Sequence, residues 1–372
     1  MLLSTKREFL LRLQMKELYN RRSLKMSVNE YKKLAHALDM LPGGFPKTAS
    51  GVELQILKKI FSPEEALVAS NMTGTSGTAD GIAERSNLPQ EETKERLKGM
   101  LGKGIIWGSK KDGIERFRLA PFVVGFYEEQ WDIMDHEFAH LCEQYWNEGG
   151  AEGIMRYEPA LHRVVPAQGS VKTEFILPYD DIKPLILQAK SFELRDCICR
   201  KQQDLLGTRK CDFPLDVCLV FSIKERPEGP HSITQEKALN VLDRSEEVGL
   251  VHTVSNVAGG VFYVCNCCGC CCQILRGINE FGIEQSVAKA NYYAVVDSEL
   301  CLGCGICEER CQVHACTVDE VSIINMSKCI GCGLCVTGCP NEAMKLNLRP
   351  DSEIIHPPDN YKAWEQQRLN NR

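Results

Sequence analysis

The chain has 372 residues, 44% hydrophobic and 25% charged, with a formal net charge of −6 at pH 7. That balance fits a globular protein with room for two or three cored domains and excludes disorder. No run of about 18 apolar residues occurs, which excludes a membrane-spanning helix.

Residues 1–25 are basic and amphipathic. They lack the unbroken apolar stretch and small-residue cleavage site of a secretory leader. They read as an extension or as a helix docking elsewhere, and Met26 offers an alternative start. Twenty cysteines in a chain without a leader point to a reducing compartment, the cytoplasm, where thiolates bind metal.

Residues 26–125 form the first expected domain. Helices are predicted at Pro63–Ser70, Ala79–Arg85 and Pro89–Met100, followed by a hairpin over Ile105–Leu119 that turns at Lys110-Lys111-Asp112-Gly113. This order resembles a winged helix-turn-helix, which occurs both in DNA-binding regulators and in protein-docking modules. Phosphate binding needs positive charge, yet nine basic side chains in residues 62–120 meet nine acidic ones, and Glu91, Glu92 and Glu95 lie on the would-be recognition helix. Charge therefore argues against DNA and for protein docking.

Residues 126–176 read as helix and linker, with one amphipathic helix over Glu128–Asn147. Inside it, His136-Glu137-Phe138-Ala139-His140 matches the two-histidine zinc signature of metal-dependent hydrolases. The third ligand would have to come from Glu152 or Glu158, in a stretch containing Gly and Pro, so the expectation is a solvated polar face.

Residues 177–290 carry ten cysteines in two groups: Cys197, Cys199, Cys211 and Cys218, then Cys265, Cys267, Cys268, Cys270, Cys271 and Cys272. A helix over Ile233–Gly249 separates the groups in sequence and would bring them together in space. Four thiolates suffice for one 4Fe-4S cluster and ten could hold two, so all ten are candidate ligands of one or two further clusters. Arg200 could offset their charge. His252 reads as a satisfied structural histidine, with a ligand or donor role as the alternative. Cys267-Cys268-Gly269 is similar to the Cys-Cys-Gly signature of heterodisulfide reductase subunits, but the expected cysteine some thirty residues upstream is missing. That leaves disulfide reduction as an alternative activity.

Residues 291–348 hold one cysteine pattern twice, at Cys301, Cys304, Cys307 and Cys311 and, 28 residues later, at Cys329, Cys332, Cys335 and Cys339. Three close thiolates serve one cube while the fourth reaches across to the other. Cluster I is therefore expected on Cys301, Cys304, Cys307 and Cys339, and cluster II on Cys329, Cys332, Cys335 and Cys311. Eight thiolates could otherwise hold two zinc ions. Short strands are predicted at Tyr293–Val296, Val321–Ile324 and Met344–Leu348. This segment resembles the bacterial two-cluster ferredoxin domain, which places proline after each fourth cysteine. Pro340 fits that pattern, whereas Gln312 departs from it. Cys316 aligns with Met344 and reads as a small core residue.

With the Cys197-Ile-Cys199-Arg200, Gly249–His252 and Cys265–Cys268 elements, residues 26–348 resemble multi-cluster ferredoxin-type proteins with an N-terminal winged region. Residues 349–372 form a tail. The expected fold is α+β: a winged helix, a cysteine-rich α/β middle domain and a two-cluster ferredoxin domain. The expected function is iron-sulfur electron transfer with a redox partner, a flavoprotein or an oxidoreductase complex, rather than stand-alone catalysis. A redox-sensing winged-helix transcription regulator is the alternative from another class. Clusters of this kind tolerate oxygen poorly, which fits an anaerobic life.

Overall fold

The computed structural model describes residues 29–172 and 176–372. The expected extension and the Met26 start lie outside the described residues. The chain divides into two units, one ending at Asp132 but including Leu141–Gly150, the other made of Ile133–His140 and Ala151–Arg372. Among the described residues no helix is long and apolar enough to cross a membrane.

The first unit contains α1 (residues 29–39), α2 (Val52–Ile60), α3 (Pro63–Ser70), α4 (Ala79–Ser86), α5 (Gln90–Gly102), and the hairpin β1 (Ile106–Lys111) and β2 (Ile114–Leu119). Local chemistry sets these boundaries. Ser62 and Glu65 form a reciprocal capping box with Pro63 in the first turn of α3, and Thr78 accepts from Gly81 N–H at the start of α4. Asp112 and Gly113 both take positive φ, the backbone of a two-residue hairpin turn, and pair Lys111 with Ile114. Phe45, Phe122, Phe126 and Tyr145 stack edge to face or tilted at the centre of this unit.

The single helix expected over Glu128–Asn147 is not continuous. A 3-10 turn at Glu128–Gln130 ends, and α6 (His136–Tyr145) begins afresh because Asp135 Oδ1 accepts from Phe138 N–H at 2.7 Å. The chain breaks again at Gly149, φ +106°, before α7 (Ala151–Met155).

The second unit is built on a seven-stranded sheet. Its strands are β3 (His162–Val165), β4 (Ser191–Asp196), β5 (Asp216–Ser222), β6 (Ser232–Ile233), β7 (Val251–Ser255), β8 (Tyr263–Cys267) and β9 (Val287–Ala288), in the order β6-β4-β5-β8-β7-β3-β9. All neighbours are antiparallel except β3 and β9. The β3 strand, within the stretch read as helix and linker, is buried on both faces and lacks the alternation that marks a strand in sequence. Helices α8 (Lys183–Gln188) and α9 (Ile198–Leu205) flank β4, and α10 (Gln235–Val248) packs on β4 and β5. Gly249 ends α10 in the left-handed region, and α11 (Gln273–Asn279) follows the last middle cysteine.

The C-terminal part of this unit repeats itself. Strand β10 (Tyr292–Val296) pairs with β13 (Met344–Leu348), and β11 (Cys316–Val318) with β12 (Ser322–Ile324). Helix α12 (Ile306–Glu309) recurs 28 residues on as α13 (Leu334–Thr337). The backbone keeps the same period: Cys301 N–H donates to Asp297 O and Cys329 N–H to Asn325 O, and His314 and Glu342 share φ values of 52° and 53°. Helix α14 (Tyr361–Asn370) closes the chain, its Trp364 indole donating to Ala160 O at 3.0 Å.

Candidate metal centres

The eight cysteines of the repeat line two small cavities. Cys301, Cys304, Cys307 and Cys339 face one, with Leu302, Ile306, Val318 and Met344 among its walls. Cys311, Cys329, Cys332 and Cys335 face the other, with Ala294, Val313, Ile330 and Leu346. The fourth cysteine of each motif thus lines the cavity of the opposite copy.

The residues present fit a 4Fe-4S group in each cavity. Apart from Asn341 in the first, every side chain lining either cavity is apolar or a thiol. Backbone donors already point at sulfur: Ala315 N–H reaches Cys311 Sγ at 3.1 Å, and Ser322 N–H reaches Cys301 Sγ at 3.4 Å. The loop backbone comes close as well. A Cβ on Gly331, φ +70°, would stand 2.4 Å from Tyr292 O, so only glycine fits there. Burial pushes the Cys332 thiol up to about 12 and that of Cys335 higher still, because a lone thiolate is costly away from water. A cationic core would remove that cost. Cys316 is buried, with its sulfur 3.0 Å from Ser322 Oγ, and lines the second cavity's wall beside the four.

The ten middle cysteines fall into two neighbourhoods around strands β4, β5 and β8. In the first, the turn after α9 brings Cys211 against the loop that follows β8. The Cys211 sulfur lies 3.9 Å from Cys268 and 3.7 Å from Cys271, and Cys270 lies 3.6 Å from Cys271. All four sulfurs are within 4.8 Å of one another, and among the described residues no other group of three or more potential ligands is so close. Cys268 and Cys271 pack on Val217 and Leu250, while Cys211 and Cys270 are half-buried. Hydrogen bonds from Cys268 and Cys271 hold the Cys270 thiol down at about 4, and those from Cys211 and Cys271 help hold Cys268 at about 6. Cys271 is pushed up in turn, as expected when crowded thiols share protons.

In the second neighbourhood, the Cys199 thiol adjoins those of Cys197 and Cys272, and Cys267 adjoins Cys272 and Cys265. Cys218, on β5, adjoins Cys265. Cys197 stands at the N-terminal cap of α9 and Cys272 at that of α11, so secondary structure fixes both ends of this set.

A buried polar network lies beneath both. Arg200, fully buried, donates from Nη1 to Pro214 O at 2.9 Å and from Nη2 to Asn266 O at 2.8 Å. Its Nε has no nitrogen or oxygen partner, and its guanidinium interacts with the Cys268 and Cys197 sulfurs. A buried donor without a partner costs about 1–3 kcal/mol, so sulfur carrying negative charge is the acceptor this site calls for. Asn266 Oδ1 lies 2.5 Å from His252 Nδ1, and His252 Nε2 lies 3.0 Å from Glu246 Oε1. Both nitrogens of His252 thus have partners within the protein.

His136, Glu137 and His140 are exposed, with the two imidazoles edge to face at 4.5 Å. No group of close ligands among the described residues includes them.

No curated protein matches the chain. Residues 322–345, which span β12, the ligand loop of the second motif and the start of β13, match the family model described as the 4Fe-4S binding domain. The chain is an iron-sulfur protein with a 4Fe-4S binding domain near its C-terminus.

Proposed function

We propose that the protein is an iron-sulfur electron carrier with two 4Fe-4S clusters in its C-terminal repeat, one on Cys301, Cys304, Cys307 and Cys339, the other on Cys329, Cys332, Cys335 and Cys311. The observation that carries this reading is the exchange of fourth cysteines between the two cavities. Bound clusters supply reversible one-electron chemistry. The chain's part is to hold the thiolates, aim N–H groups at sulfur and keep water out.

The middle domain adds a third cluster on Cys197, Cys199, Cys267 and Cys272, whose thiols neighbour one another in series without crowding together. The first unit is a winged-helix-like docking module for a redox partner, a flavoprotein or an oxidoreductase complex in the cytoplasm. Its α5 exposes Glu91, Glu92 and Glu95 beside Lys94 and Lys98, a mixed surface suited to protein rather than phosphate. Disulfide reduction is disfavoured because Cys267 and Cys268 are 6% and 1% exposed and turn to different neighbours.

The test is anaerobic reductive titration followed by electron paramagnetic resonance. Paired clusters in the repeat predict uptake of at least about two electrons per chain and spin-coupled signals. Protein that takes up no electrons, or holds only zinc, would refute the reading.

A further inference from the structure

We propose that Cys211, Cys268, Cys270 and Cys271 hold a single tetrahedral metal ion, zinc or a lone iron, rather than an iron-sulfur cluster. The argument is geometric. A metal–sulfur bond of about 2.3 Å puts the sulfurs of a tetrahedral four-thiolate site about 3.8 Å apart. The three closest separations here are 3.9, 3.7 and 3.6 Å, and no pair in the set exceeds 4.8 Å. A cubane sits between its thiolates and holds them well apart. The same molecule shows that wider arrangement in the C-terminal repeat, where each quartet surrounds a cavity and no three of its sulfurs come within 4.8 Å of one another.

The surroundings suit a compact closed site. The Arg209 guanidinium donates to the carbonyls of Cys211 and Phe213 and so fixes the turn that presents Cys211. Arg200 lies beside Cys268 and balances part of the charge left when four thiolates bind a divalent ion. The four thiols lose their protons to solvent on binding, and half-buried Cys211 and Cys270 give the ion a way in. With no open coordination position, such an ion would be structural if zinc and a one-electron centre if iron.

The test uses the full chain, purified anaerobically, with zinc, iron and acid-labile sulfide counted. A single-ion site predicts zinc plus iron in excess of sulfide by about one per chain, since cubanes hold iron and sulfide equally. Cys270→Ser should remove that excess ion and leave sulfide unchanged. X-ray absorption on the unaltered protein serves should the variant not fold: zinc with about four sulfurs near 2.3 Å supports the site. A lone iron would appear as the iron excess. Iron equal to sulfide with no zinc, or sulfide lost together with iron in Cys270→Ser, would overturn the proposal. If no sulfide is found anywhere while Cys270→Ser still loses its ion, this site stands and the electron-carrier reading falls.

Discussion

The Gln312 side chain accepts a hydrogen bond from Gly269 N–H at 2.9 Å, tying the residue after Cys311 to the loop that carries Cys268 and Cys270. Asn279 Nδ2 strengthens the junction, donating to Gln312 O at 2.9 Å and Gly269 O at 3.0 Å. The glutamine that replaces the expected proline is thus a contact between the repeat and the loop of the middle cysteines.

The junction leaves no room at Gly269. A Cβ there would stand 2.0 Å from Gln312 O, so Gly269→Ala should destabilise the second unit by about 1–3 kcal/mol through overpacking. Gln312→Ala, which leaves Gly269 N–H without its acceptor, should cost about 1–3 kcal/mol. Thermal unfolding of both variants checks this. An unchanged midpoint in each would mean the junction carries no stability.

Arg310 is a second tie. It donates to Leu334 O at 2.8 Å, Glu247 O at 2.8 Å and Glu246 O at 2.7 Å, joining α13 to the C-terminal turn of α10. Lysine has no planar fork to span three carbonyls. Arg310→Lys should therefore cost about 2 kcal/mol and increase hydrogen exchange at the end of α10. Unaltered exchange there would contradict the bridging role.

The exchange of fourth ligands makes a directional prediction. Cys339→Ser should damage the cluster of Cys301, Cys304 and Cys307, and Cys311→Ser the other, each with loss of about four irons and four sulfides. Cys316→Ser should lose neither. Resonance spectra of the reduced variants would identify the surviving cluster. Damage to its own motif's cluster by either substitution would mean that the ligands do not cross.

Glu128 gives a pH dependence in the first unit. Burial pushes its carboxyl up to about 8, against the hydrogen bond from Gly125 N–H at 2.8 Å, which favours the charged form. A carboxyl whose folded value is raised contributes stability that is whole below the usual carboxylate range and is lost as pH rises through about 8. Glu128→Gln keeps the acceptor and removes the titration. Its unfolding midpoint should gain on the parent's as pH rises from 5 to 8. Parallel curves would show that Glu128 ionises as freely folded as unfolded.

Much of this was readable from local pattern. The eight cysteines of the repeat, their glycines, and the ends of α3 and α10 depend on spacing and capping that neighbouring residues determine. The division of the ten middle cysteines was not readable, because Cys211 meets Cys268 and Cys271 across a fold made by β5 and β8, some sixty residues away in sequence. The break before α6 did carry a signal that periodicity hid: Asp135 stands where an N-cap belongs, three residues before Phe138. Strand β3 gave none, since four fully buried residues show neither helical nor strand alternation. Gln312 could be seen only as a departure from a pattern, and its partner Gly269 lies 43 residues earlier.

The most direct test of the central claim is acid-labile sulfide per chain in anaerobically purified protein. Two clusters in the repeat require about eight, and a third on Cys197, Cys199, Cys267 and Cys272 raises the count to about twelve. Fewer than about four sulfides in fully folded protein would contradict an iron-sulfur electron carrier.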